Sequence, residues 1–173
     1  MRIEDAHPTT PGRILVVDDE ELLRSLLEEL LGMDRHEVSA AADGVDAVDI
    51  LEREQFDLVI TDLVMPRLNG IEVLRAAKRI NPGYPVAVLT GHPSVDTVIR
   101  LIRLGAAEYI TKPFNIDIVR VTIAKLLDMK RMRLEPGDTG APRPKDESVG
   151  EGTNNQGSNS VDLSAAELPR LTL

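Results

Sequence analysis

FDLVITDLVMPRLNG, residues 56–70, is the stretch on which the reading of this chain turns. Asp57 leads into residues 58–61, a short aliphatic run of strand character, and the run ends on a carboxylate, Asp62. A Met-Pro step and an Asn-Gly pair follow, and both signal a turn. An acid at the end of an apolar strand, just where the chain must change direction, needs a chemical reason.

Outward from it, the first 134 residues read as five repeats of strand then helix. The predicted strands are RILVV (13–17), HEVSA (36–40), DLVIT (57–61), PVAVLT (85–90) and AEYI (107–110). Several are continuous aliphatic or β-branched runs, the pattern of strands buried on both faces. Apolar stripes at helical spacing lie between them. Leu23, Leu26, Leu27, Leu30 and Leu31 form the first, and Val45 and Val48, extended by Leu51, a weaker second. Ile71, Val73, Leu74 and Ala77 open the third; Val95, Val98, Ile99 and Ile102 form the fourth. The fifth runs through Ile116, Val119, Ile123, Leu126 and Leu127. Strands and helices alternating through short loops predict an α/β fold, a doubly wound parallel sheet with helices on both faces.

Composition bounds the rest. The 173 residues suit one domain plus an appendage. Apolar residues make up 42% but aromatics only 2%, so the core is aliphatic. A formal charge of −9 argues against wrapping a phosphate backbone. With no Cys there is no disulfide framework and no thiolate chemistry. The first residues lack the apolar segment of a signal peptide, and no run approaches the ~20 apolar residues of a membrane span. A soluble, cytoplasmic protein is expected. Beyond Leu134 the composition shifts to Gly, Pro, Ser and Asn, and residues 135–160 read as a disordered linker. The organisation is then an extension over 1–12, a domain over 13–134, that linker, and a short tail over 161–173. In the tail VDLSAAELPRLTL, Ser164 and Glu167 have capping-box spacing, but Pro169 stops any helix within about a turn. A frayed end is the plain reading and a docking peptide the sharper one.

In an open parallel sheet, ligands bind beyond the carboxyl ends of the strands. After the first strand come Asp18 and Asp19, and after the third Asp62; the fourth ends in Thr90 and the fifth is followed by Lys112 and Pro113. Only the second ends blandly, in Ala41 and Ala42. A strand order of 2-1-3-4-5 would leave that bland strand at an edge and gather the polar groups together. Three carboxylates in one pocket repel unless a cation sits among them. Oxygen ligands without Cys favour a hard cation, Mg²⁺ above all, over zinc. A carboxylate beside Mg²⁺, with an ammonium and a hydroxyl nearby, is equipped to accept a phosphoryl group.

VVDDE, ITDLVMPRLNG, VLTG and YITKPF together resemble the signature segments of the receiver domain of two-component response regulators, over residues 13–131. The resemblance implies the flavodoxin-like order 2-1-3-4-5. It implies phosphorylation on Asp62, with Mg²⁺ held by Asp19, Asp62 and the Val64 carbonyl and, through water, by Asp18. Lys112 would pair with the phosphoryl group, Thr90 would move to hydrogen-bond it, and Tyr109 would rotate inward behind Thr90. The Lys112–Pro113 bond would be cis. Val64 and His92 would tune the access of water, and Gly91 would leave space for the phosphoryl group.

Each residue also has an ordinary reading. Asp19 can cap the first helix, Asp62 can be a turn acid, Thr90 can bond local backbone, and Lys112 can be a solvated charge. Their appearance together at four strand ends is what favours the functional one. Asn69 with Gly70 is expected to start the third helix, and His7 and His36 have no visible role. Leu101 and Leu104, flanked by Arg100 and Arg103, suggest a partner or dimer surface that a core-facing stripe would equally explain.

The expected protein is therefore a stand-alone response regulator that takes its phosphoryl group from a histidine kinase or a histidine phosphotransfer protein. It would catalyse only its own phosphorylation and dephosphorylation, and switch partner binding through the face of helix 4, strand 5 and helix 5. A phosphorylation-dependent homodimer is one such partner. Regulators of this family usually carry an ATPase or DNA-binding domain after the receiver; here the 39 residues after Leu134 hold three basic and seven acidic side chains. That points to protein contact rather than nucleic acid. The alternatives are an aspartyl-phosphate phosphatase on a related α/β fold and a nucleotide- or flavin-binding module. The first wants an Asp-x-Asp loop after the first strand, the second a Gly-rich loop there, and this chain has neither.

Overall fold

In the computed structural model, which describes residues 11–91 and 93–134, period-two alternation sorts each central strand between two cores. Ile14 and Val16 of β1 (Arg13–Val17), Leu58 and Ile60 of β3 (Leu58–Asp62) and Ala87 and Leu89 of β4 (Val86–Thr90) point to one side. There they meet α1 (Glu21–Met33) and α5 (Ile116–Leu134) through Leu27, Leu31, Val119 and Ile123. Leu15, Val17, Val59, Val86 and Val88 point to the other side. They pack there against α2 (Gly44–Arg53), α3 (Gly70–Ile80) and α4 (Val95–Arg103). β2 (Glu37–Ala41) and β5 (Glu108–Thr111) complete the sheet.

All four pairings are parallel and the order is β2-β1-β3-β4-β5, as the resemblance implies. The central strands β3 and β4 are buried along their whole length, and the edge strands β2 and β5 only in part. The strand spans agree with those predicted to within one residue at either end. The predicted linker 135–160 and tail 161–173, and residues 1–10 of the predicted extension, lie outside the described residues.

Two of the open alternatives are decided. Asp19 does not cap α1: the N-cap is Glu20, and it makes no side-chain cap bond. The helix start is held instead by Asp18, whose Oδ1 accepts from the Glu20 N–H at 2.9 Å. In α4 the expected core stripe faces out, with Val95, Ile99 and Ile102 exposed and Leu101 buried. Leu104 is half-buried against the core, so of the two readings open for Leu101 and Leu104 the core-facing one holds. The helix is turned about its axis so that a different apolar flank meets the sheet. Asn69 does start α3, in a capping box with Glu72.

Candidate functional site

Sheet register assembles the site. Val17 pairs with Thr61, so the residues that follow, Asp18 and Asp62, emerge side by side. Thr90 pairs with Thr111 on the opposite flank of β3, and the next residue is Lys112. The Lys112 N–H donates to the Thr90 carbonyl at 2.8 Å, tying the two strand ends together, and the Lys112–Pro113 bond is cis as expected.

The Lys112 ammonium lies 2.8 Å from Asp18 Oδ2 and 2.9 Å from Asp62 Oδ1. Asp18 has no solvent exposure and Asp62 is 7% exposed, whereas Asp19 stands open to solvent. Asp62 Oδ2 accepts from the Val64 N–H at 3.2 Å. Burial pushes the Asp62 carboxyl above the ordinary carboxylate range and the Asp18 charge adds to this, while Lys112 and the Val64 N–H oppose it. Burial also works against the Lys112 ammonium, but its bonds to Asp18 and Asp62 outweigh this and raise its pKa.

Asp18, Asp19 and Asp62 each offer a carboxylate oxygen, and these atoms lie within 4.8 Å of one another. Three carboxylates against one ammonium leave a formal charge of −2, which a single divalent cation neutralises. The donors are all oxygen, so the set fits Mg²⁺ or a similar hard ion.

The remaining predicted residues are placed as follows. Thr90 is buried at the end of β4, and Tyr109 of β5 is 39% exposed rather than packed inward. Val64 follows Asp62 in the turn with its side chain exposed. Gly91 faces open space, since a Cβ built there would meet nothing within 4 Å. His92 lies outside the described residues.

Two arginines that support this end of the sheet escaped the sequence reading. Arg24 donates to the Asp18 carbonyl at 2.6 Å and fixes the turn after β1. Arg67, in the loop after Asp62, pairs with Asp43, the N-cap of α2. Its φ is +65°, a left-handed conformation unusual for a residue other than Gly or Asn. A basic residue beside a turn is too common a pattern to have revealed either.

The sequence profile of the response regulator receiver domain matches residues 14–124. Among curated proteins the chain is similar to sporulation initiation phosphotransferase F of Bacillus subtilis. The two are 36% identical over 118 residues, which is 68% of this chain and 95% of that protein. It is also similar to transcriptional regulatory protein ZraR of Klebsiella oxytoca, 35% identical over 123 residues, 71% of this chain and 28% of that one. Several other curated relatives are also longer, and the matches span 28% to 58% of their length. A solved response regulator receiver domain protein from Clostridium thermocellum superposes with a TM-score of 0.67 at 34% identity. That match covers 70% of this chain and 98% of the other.

Proposed function

Because this chain belongs to the response regulator receiver domain family, we propose that it is a phosphoacceptor switch in which Asp62 receives a phosphoryl group from a phosphohistidine. The donor is a sensor histidine kinase or a histidine phosphotransfer protein. An Asp62 oxygen attacks phosphorus in line; the phosphorus–nitrogen bond breaks and its electron pair stays on the histidine nitrogen. With the ring protonated at its other nitrogen, the histidine leaves neutral. Lys112, already beside Asp62 Oδ1, keeps its ammonium against the charge that spreads over the phosphoryl oxygens. Asp18, Asp19 and Asp62, with the Val64 carbonyl, would hold Mg²⁺, which when bound neutralises phosphoryl charge and orients its oxygens.

The observation that carries this reading is the Lys112 ammonium gripping Asp62 and Asp18 at the carboxyl end of the sheet. Once phosphorylated, Asp62 presents close to two negative charges and new acceptor oxygens. Thr90 would donate to one of them, and Tyr109 would follow Thr90 inward from its half-exposed position. That biases a two-state equilibrium of the α4–β5–α5 face, through which the protein contacts a partner or a second copy of itself. Beryllofluoride with Mg²⁺ should therefore raise the sedimentation coefficient, and an unchanged value removes the dimer from the proposal.

Acetyl phosphate with Mg²⁺ and intact-mass analysis test the chemistry. One phosphoryl group per chain is expected on the native protein and none on Asp62→Asn. Multiple turnover of a free phosphomonoester would instead make the protein a phosphatase.

A further inference from the structure

The loop between Asp62 and α3 is closed at its base and held near its tip. At the base, the Gly70 N–H donates to the Leu63 carbonyl at 3.1 Å, and the Leu63 N–H crosses to the Leu89 carbonyl of β4 at 2.8 Å. Residues 64–69 therefore leave and return at one point. Near the tip, the Leu68 N–H donates to the Pro66 carbonyl at 2.8 Å and closes a three-residue turn around Arg67. The turn places Arg67 at φ +65°, a conformation that glycine adopts freely and a residue with a Cβ resists. Tight turns of this kind with a positive φ at the centre are rare and strained.

Strain of this kind persists only where the surroundings over-determine it, and here the arginine side chain does so. The Arg67 guanidinium pairs with Asp43 Oδ2 and lies 3.5 Å from Asp46 Oδ1. Asp43 is buried, and its carboxylate oxygens serve two different partners. Oδ1 accepts from the Val45 and Asp46 N–H groups at 2.8 and 3.1 Å and so caps α2, while Oδ2 faces Arg67. The strand before α2 ends in Ala41, whose carbonyl accepts from the Asp18 N–H at 3.2 Å. The latch thus ties the loop to an element anchored on the first acid of the pocket.

What the loop carries toward the pocket is Val64. Its N–H bonds Asp62 Oδ2, and its carbonyl would join the three carboxylates around Mg²⁺. Only Met65 and Pro66 separate it from Arg67. Pro66 has a fixed φ and restricts Met65 to extended conformations, and the Met65 side chain is buried in the core. With so few soft torsions between them, the backbone angle at Arg67 sets the direction of the Val64 peptide. Leu68 also holds the loop, half-buried against the core, but it sits on the far side of the turn from Val64. We propose that Arg67 is a positioning residue: latched to Asp43, it keeps the Val64 peptide in the orientation that the cation and the phosphorylated Asp62 require. That role rests on the phosphoacceptor reading above, whereas the hold on the loop does not.

Two substitutions in the full chain separate the latch from stability. Asp43→Asn keeps an oxygen to cap α2 but removes the charge that faces Arg67. Arg67→Gly removes the guanidinium together with the backbone strain. The double variant has no buried charge at position 43 and a relaxed turn, so its Tm should stay close to that of the native protein. Calorimetry should nevertheless find Mg²⁺ bound about tenfold more weakly by each single variant and by the double variant alike. Labelling by acetyl phosphate should need correspondingly more Mg²⁺, with its rate at saturation close to native. In chelator, hydrogen exchange of the Val64 and Leu68 amides should quicken severalfold in all three variants, and that of Leu63, bonded across the sheet, should not. Native Mg²⁺ affinity in the double variant, losses that add, or unaltered exchange at Val64 and Leu68 would each overturn the proposal. Failure of the native protein to take a phosphoryl group would overturn the phosphoacceptor reading alone, because Mg²⁺ binding and exchange in chelator do not depend on it.

Discussion

Lys112 holds two buried carboxylates at once, and the balance is not neutral for Asp62. Its pKa lies above the ordinary value of 3.8, so the folded chain keeps this proton to higher pH than the unfolded chain does. As pH rises through the folded pKa the carboxylate ionises in a poor solvent, and the cost is fully present at neutral pH. Asp62→Asn should therefore raise the Tm at pH 7 in chelator by a few degrees. The gain should shrink as the pH falls through the folded pKa and be gone by about pH 4. Mg²⁺ should stabilise the native protein and not the variant; equal Mg²⁺ shifts in thermal scans would contradict this. Lys112→Ala should slow labelling by acetyl phosphate by about two orders of magnitude. Calorimetry should still find Mg²⁺ bound, because the three carboxylates remain. Asp62 and Lys112 were legible because a charge closing an apolar strand is a local pattern. The grip of one ammonium on two acids, and the Arg67–Asp43 pair, depend on register between distant segments and leave no local trace.

The elements around the site are joined by backbone packed too closely for a side chain. A Cβ on Gly70 would stand 2.1 Å from the Asp62 carbonyl oxygen, and one on Gly44 would stand 2.3 Å from that of Leu68. Both obstacles are backbone atoms, so the start of α3 or of α2 would have to move. Gly70→Ala and Gly44→Ala should each cost about 2 kcal/mol or more in urea unfolding. Gly91→Ala should change stability by no more than about 0.5 kcal/mol. Comparable losses for all three would contradict the packing. Hydrophobic periodicity revealed every element here, since five strands and five helices appear where the alternation put them. Periodicity did not reveal which way α4 faces. A stripe such as Val95, Ile99 and Ile102 records apolar character, not what covers it, and here it points outward.

Over the whole molecule, the opposite end of the sheet answers to pH. His36 is buried, and its Nδ1 accepts from the Gly12 N–H at 3.2 Å. Burial lowers its pKa from 6.5 and Arg131 adds slightly, against a contrary pull from Asp34. The unfolded chain then binds this proton more readily, so the stability His36 provides is present above about pH 6.5 and lost as the pH falls. Folding free energy measured from pH 7.5 to 5.5 should decline, and His36→Gln should flatten that slope; an unchanged slope would exclude His36 as its source. The strand order was legible only through the joint resemblance of four motifs, because alternation alone permits several orders. It is that order which turns scattered polar residues into one acidic pocket. Among the described residues, no helix is long and apolar enough to cross a membrane.

The central claim is that the phosphoryl group is carried by the side chain of residue 62, and reductive trapping tests it most directly. Borohydride converts an acyl-phosphorylated aspartate to homoserine, which peptide mass spectrometry then locates. After labelling with acetyl phosphate and Mg²⁺, homoserine is predicted at position 62 and nowhere else. Homoserine at position 18 or 19, or equal trapping at 62 once all divalent ions are chelated, would contradict the account.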